Sequence, residues 1–377
     1  MSGFSLARFW AVLTKEFVQM RRDRLTFAMM IGVPILQLVL FGFAINADPK
    51  ALPTAVLAAD NSVYSRTLVR ALENSGYFRV VREIGSERDA ERALALGTVQ
   101  FVITVPENFA RKLERGERPV LLVEADASDP GATGNAIAAL SQIAVSALAR
   151  DLSGSLSDLK PVLPPVDLRV HRRYNPEGVT AYNIVPGLIG TILTMTMVLM
   201  TGLAMTRERE RGTFENLLST PALPIEVMTG KIVPYILIGL IQVTLIIAAA
   251  LLLFEVPMQG DPWLLYLVVS LFIAANLTLG FTFSSIARNQ LQAMQMTFFF
   301  FLPSILLSGF MFPFRGMPEW AQWLGSLLPL THFLVLVRGI MLKGNTLVDL
   351  WPQVWPILVF MTVVILIGLR FYKRTLD

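Results

Sequence analysis

Cysteine is absent from all 377 residues, which removes disulfides, thiol nucleophiles and Cys-ligated metals from consideration. Histidine is nearly so. His171 and His332 are the two present and fall in different segments, so bis-His haem ligation and clustered His metal sites have no basis here. Charge is scarce as well: 16% of residues are Asp, Glu, Lys or Arg and 54% are hydrophobic, the balance of a membrane protein. A Gly-x4-Gly-Lys-Ser/Thr phosphate loop is missing, because Gly230-Lys231 is followed by Ile232 and residue 225 is Ile. No basic run is interleaved with stacking aromatics, so nucleic acid is not an expected partner and topology accounts better for the net charge of +4. Nor does any long apolar run carry an ionisable residue at its middle, where ion- or proton-coupled transporters keep a coupling site.

What is present divides sharply. Residues 1–24 form a segment with Leu6, Phe9, Trp10, Leu13, Phe17 and Met20 at helical spacing, opposite Arg8, Lys15 and Gln19. That is the pattern of an amphipathic helix lying in the membrane interface. The apolar run 25–46 follows; at ~1.5 Å per residue it spans roughly 30 Å, one bilayer crossing, and it is too long and too late for a cleaved signal peptide. Between 47 and 176 the character changes, with sixteen Lys/Arg balanced by sixteen Asp/Glu. Alternating apolar runs predict strands at 54–59, 78–84, 99–105 and 120–124. Helical spacing predicts helices at 62–74, 87–96, 107–114 and 134–156. Together they describe an inserted α/β domain, closed by a stiff linker through Pro161, Pro164 and Pro165, with His171 in a charged, solvated stretch.

Residues 177–377 return to long apolar runs, near 180–205, 227–254, 263–286, 291–313 and 351–369. The expected fold is therefore a mainly α-helical polytopic membrane protein with six transmembrane helices and an extracytoplasmic α/β domain between the first and second. A segment at 314–348 is broken by Pro318 and Pro329, and interrupted backbone at membrane depth survives only when packed against protein. With both termini inside, short inner segments carry thirteen Lys/Arg and short outer ones three, Arg315, Arg338 and Lys343. The positive-inside rule then places the 206–226 loop in the cytoplasm and the α/β domain outside.

That loop is the most distinctive stretch of the chain. Arg207-Glu208-Arg209-Glu210-Arg211-Gly212-Thr213-Phe214-Glu215 holds six charges in nine residues and continues through Leu217, Leu218, Thr220 and Pro221. Such a block belongs in water or headgroups. Thr213 is a candidate helix cap, Glu215 then lies near the positive end of the helix dipole, and the residue before Pro221 marks a stop.

The string ERERGTFENLLSTP, with Lys231 and Pro234 beyond it, resembles the cytoplasmic loop of type-2 ABC exporter permeases, the membrane subunits of ATP-binding-cassette transporters. Further strings resemble the same family: Lys15-Glu16 and Arg22-Asp23-Arg24 before the first span, Tyr-Asn-Pro at 174–176 with Pro186-Gly187, and the outer segment from Ser308-Gly309 to Lys343-Gly344. The resemblance implies that 314–348 is an outer re-entrant stretch and that 207–221 carries a coupling helix docking on a separate cytoplasmic ATPase. In that reading Arg207, Glu208, Arg209, Glu210 and Glu215 make polar contacts, Phe214, Leu217 and Leu218 fill an apolar cleft, and Gly212 gives the turn room. Glu16 and Arg22 supply a second contact surface. The chain itself then needs no cofactor and is not an enzyme, ATP and Mg being held by the partner subunit. A second permease copy, identical or not, a periplasmic adaptor and the lipid bilayer complete the expected partners.

Polar residues inside the spans are candidates for a substrate path: Asn183, Thr194, Gln242 and Asn276, with Thr191 and Thr196 beside them. Each has an alternative role, because Thr and Asn in spans also bond to backbone or neighbouring helices. The expected function is ATP-driven export of a hydrophobic or amphipathic compound, a drug or a lipid, across a bacterial inner membrane. Two alternatives stay open: a permease for small cations, and a membrane anchor or sensor whose α/β domain binds an envelope ligand or protein.

Overall fold

Period-two alternation builds the sheet. In β3 (Phe101–Val105), Phe101, Ile103 and Val105 belong to the core on one face and Val102 to that on the other. The computed structural model describes residues 49–148, 165–210 and 224–371. Within it β1 (Leu52–Ala58), β2 (Phe78–Glu83), β3, β4 (Val120–Asp126) and β5 (Asp167–Arg173) form one sheet in the order β2-β1-β3-β4-β5. Every neighbouring pair is parallel except β3 with β4. Helices α1 (Val63–Asn74), α3 (Phe109–Glu114) and α4 (Pro130–Ser146) cover one face through Leu68, Leu72, Phe109 and Leu140. The other face is covered by α2 (Glu87–Ala95), through Ala90, Ala93 and Leu94. Serines start the first two helices: Ser62 and Ser86 accept the backbone N–H of Ser65 and Asp89.

Four strands lie where alternation puts them. The fifth differs: 167–173 reads in the sequence as charged linker, yet it pairs with β4 from Val120 to Asp126. Arg169, His171, Arg172 and Arg173 hide its pattern because this edge strand has a mostly solvated surface. Beyond β5, Asn175 is fully buried; its side chain accepts from the Val179 N–H at 2.8 Å and donates to the Val179 carbonyl at 3.0 Å. That two-way bond pins the chain just before the first long helix.

Among the described residues, helices α5 (Thr180–Glu210), α6 (Pro224–Leu252), α7 (Pro262–Ile286), α8 (Gln290–Leu307) and α11 (Leu347–Phe371) are long and apolar enough to cross a bilayer. The apolar run 25–46 lies outside the described residues. Between α8 and α11, α9 (Glu319–Ser326) and α10 (Pro329–Lys343) meet at 82°, and would count as a sixth crossing if taken as one bent span. The break survives because it is enclosed: Phe333 of α10 stacks on Phe272 of α7 at 3.9 Å between ring centroids, and the Thr331 hydroxyl donates to the Gly325 carbonyl at 2.6 Å.

The central helix is α7. A Cβ at Gly280 would stand 2.5 Å from the Val198 carbonyl oxygen, so α5 and α7 approach more closely than any side chain allows. Hydroxyls fasten its other neighbours. Thr282 donates to the Val364 carbonyl of α11 at 3.0 Å, and Thr244 of α6 meets the Tyr266 hydroxyl at 2.9 Å.

Candidate functional site

At the charged end, α5 does not stop where its apolar run stops. The helix continues through Arg207, Glu208, Arg209 and Glu210, its Thr206 hydroxyl donating back to the Gly202 carbonyl at 2.7 Å. The Glu210 carboxylate accepts two bonds from Gln290, one from the backbone N–H at 2.8 Å and a short one from the side-chain amide. The Arg207 Nε donates to the Gln290 Oε1 at 3.5 Å. Gln290 opens α8, so Glu210 meets a helix N-terminus whose first N–H groups lack intrahelical partners. The Gln290 side-chain bond, then its backbone bond, hold the Glu210 carboxyl below the usual carboxylate range.

The turn presenting Gln290 is itself fixed. Asn289 caps α8 by accepting the Gln292 N–H at 2.8 Å, and the Gln292 side chain accepts the Arg288 N–H at 2.9 Å. The side chains of Glu208 and Arg209 lie outside the described residues. So do Gly212, Thr213, Phe214, Glu215, Leu217, Leu218, Thr220 and Pro221, and Glu16 and Arg22 near the start of the chain.

The four path candidates are spread through the helices, and no hydrogen bond joins any two of them among the described residues. Thr194 is 1% exposed and donates to the Gly190 carbonyl of its own helix at 2.8 Å. Asn276 is fully buried in α7; its amide donates to the Phe272 carbonyl at 2.9 Å while its Oδ1 has no partner. Gln242 of α6 lies 3.1 Å from the Thr196 hydroxyl, which also stands 2.7 Å from the Ile192 carbonyl. Thr191 bonds to the Leu188 carbonyl at 3.2 Å. Asn183, on the first turns of α5, reaches Asp129 of the α/β unit at 3.5 Å, and its own Oδ1 is buried without a partner.

Asn183 leads to a second polar centre, which the sequence reading counted only as stray outer charges. Lys343, at the end of α10, pairs with Asp126 at the end of β4, each side chain only 9% exposed. Lys343 also donates to the Leu94 carbonyl at 3.3 Å, Asn345 to the Ala95 carbonyl at 3.0 Å, and Arg315 to the Gly97 carbonyl at 3.0 Å. Three donors from the helical half thus satisfy carbonyls at the C-terminal end of α2, where the macrodipole favours cations. Arg92 of α2 bonds to Asp349 of α11 at 2.8 Å.

Deeper in, Arg338 stands 3.9 Å from Asp129 and 3.5 Å from the Gly309 carbonyl, its Nε unpartnered. Burial pushes the Asp129 carboxyl above its ordinary range, and the Arg338 charge does not fully offset it. Burial first, then the Asp126 charge, raises the Tyr174 phenol to about 12. Lys343 lies 5.2 Å from that ring. The signal in the sequence was faint: Asp126-Ala-Ser-Asp129 closing a strand, and Arg338 five residues before Lys343. Among the described residues no cluster of His, Asp and Glu is arranged to hold a metal ion.

Comparison with known proteins gives this geometry a setting. A family model described as "ABC-2 family transporter protein" matches residues 24–370. The chain is 29% identical over 352 residues to the "Probable multidrug ABC transporter permease YbhR" of Escherichia coli K12, covering 93% of this chain and 94% of that one. It is 28% identical over 380 residues to the "Probable multidrug ABC transporter permease YbhS" of the same strain, covering 99% and 98%. A third relative, the "Inner membrane transport permease YhhJ" of E. coli K12, is 28% identical over 363 residues, covering 91% and 93%.

Proposed function

The chain belongs to the ABC-2 family transporter proteins, and on that footing we propose that it is the permease subunit of an ATP-driven exporter moving a hydrophobic or amphipathic compound across a bacterial inner membrane. One observation carries this reading. The likeness to relatives named multidrug ABC transporter permeases is nearly end to end, 99% of this chain and 98% of YbhS, so it takes in the α/β unit as well as the helices.

In the proposed cycle ATP and Mg sit on a separate ATPase subunit that docks on the 207–221 loop. Its closure moves that loop, and two permease copies rock between inward- and outward-open states, a population shift driven by different contacts in each. The α/β unit stands on the extracytoplasmic side, where a periplasmic adaptor would reach it. The coupling-loop residues from Arg207 to Pro221, with Glu16 and Arg22, form the docking surface. Asn183, Thr194, Gln242 and Asn276 remain the candidate path residues; of these Asn183 and Gln242 are only partly buried and, among the described residues, bond outside their own helices.

The test is reconstitution with the ATPase subunit. Inverted vesicles holding both subunits should accumulate a hydrophobic dye such as Hoechst 33342 only with ATP. Glu215→Arg should abolish both ATPase association and accumulation. Normal association of the Glu215→Arg chain would overturn the docking assignment, and ATP-independent dye movement would overturn the export reading.

A further inference from the structure

The Glu210–Gln290 contact lies exposed at the charged end of the helices. Hydrogen bonds and ion pairs in such a setting contribute little to stability. Its geometry is nonetheless specific: both carboxylate oxygens are used, each by a different N–H of one residue. A neutral amide at 210 would put an NH2 donor where one of these two oxygens now accepts, so it could not take both bonds in this geometry.

The two ends so joined are mechanically distinct. Glu210 ends the helix that leads into the 207–221 loop, and Gln290 begins α8. Behind Gln290, the Asn289 cap and the Gln292–Arg288 bond make the turn one unit with the helix. Along its length α8 packs chiefly on α5 and only sparsely on α7. It leaves Leu291, Phe298 and Phe299 exposed, so part of its surface is free of packing within the described residues.

We propose that Glu210 is a positioning residue through which displacement of the 207–221 loop reaches α8, Gln290 being its receiver; the proposal rests on the export reading above. Glu210, grouped with the docking residues above, is then their exception: its carboxylate is taken up by Gln290 and does not face the ATPase. It faces the permease, and turns a push on the loop into a pull on the start of α8.

The cysteine-free chain makes this measurable. A single Met294→Cys on α8, at a position 36% exposed, reports through its rate of labelling by a fluorescent maleimide. The full chain is co-purified with its ATPase subunit, placed in phosphatidylethanolamine–phosphatidylglycerol liposomes and trapped with ATP and vanadate. Trapping should change the labelling rate by about 5-fold or more, the size of a typical coupling between sites. With Gln290→Ala added, the ATPase should still co-purify and hydrolyse ATP while the change is lost. Gln290→Glu, which sets two carboxylates face to face, should lose it too. Adding Glu210→Gln to Gln290→Glu rebuilds a donor–acceptor pair and should restore the response.

A full vanadate response in Gln290→Ala overturns the proposal. So does a swap that leaves Gln290→Glu unresponsive, or an α8 that never responds in the parent complex. If Gln290→Ala no longer holds the ATPase, the contact belongs to docking and the proposal falls. Failure of the parent chain to hold the ATPase would instead count against the export reading itself.

Discussion

Lys343 and Asp126 are each 9% exposed and pair with each other at the junction of the two halves. Removing one partner of a buried pair typically costs about 3–5 kcal/mol, because the survivor keeps a desolvated, unpaired charge. Lys343→Met should therefore lower unfolding stability in detergent by that order, and Asp126→Asn in the Lys343→Met background should recover part of the loss. Glu210 yields a pH expectation. Its folded carboxyl titrates below the ordinary 4.5, since the Gln290 side chain and backbone bond the ionised form. Its contribution is thus complete above the unfolded value and is lost as pH falls through the lower folded one. Hydrogen exchange of the Gln290 amide, corrected for its intrinsic pH dependence, should stay slow at neutral pH and speed up under acid; Glu210→Ala should abolish that dependence.

Helix ends set the next scale. At the C-terminal end of α2 the Leu94 carbonyl already accepts the Gly97 N–H, and Lys343, Asn345 and Arg315 bring further donors from the helical half to the Leu94, Ala95 and Gly97 carbonyls. Asn345→Ala should cost about 1 kcal/mol, the net worth of an ordinary hydrogen bond, and amide exchange in the last turn of α2 should quicken while that of α1 does not. The seam between α5 and α7 is set by the absence of a side chain. Gly280→Val would drive methyl groups into the Val198 carbonyl, 2.5 Å from where even a Cβ would lie. The helices must part, and overpacking of this kind costs about 1–3 kcal/mol or more. Reduced yield of folded protein in size-exclusion chromatography would register it.

Orientation belongs to the whole molecule. The excess of Lys and Arg in the short segments on one side is the ground for the proposal that the α/β unit lies outside and the α5–α6 loop inside. Without native cysteines, two single substitutions test it. Val81→Cys, at an exposed site on β2, should react with a membrane-impermeant maleimide on intact spheroplasts; Leu291→Cys, exposed at the start of α8, should react only after permeabilisation. The opposite pattern would invert the topology and remove the loop from reach of a cytoplasmic ATPase. Apolar runs announce α5 to α8 and α11, because a helix that must hide its backbone in lipid has to be apolar along its own length. Strands β1 to β4 announce themselves by alternation, whereas β5 does not, because its exposed arginines follow solvent rather than core.

The amino-acid sequence by itself determined the apolar helices from α5 onward and the charge-balanced α/β unit, because burial in lipid or core imposes a local period that the chain records residue by residue. Only the tertiary structure decided which polar and charged groups meet. Lys343 finds Asp126 across 217 positions, and Glu210 finds Gln290 across 80. No local period encodes such pairs; they form because packing of the helices and the sheet brings distant ends within the reach of a hydrogen bond.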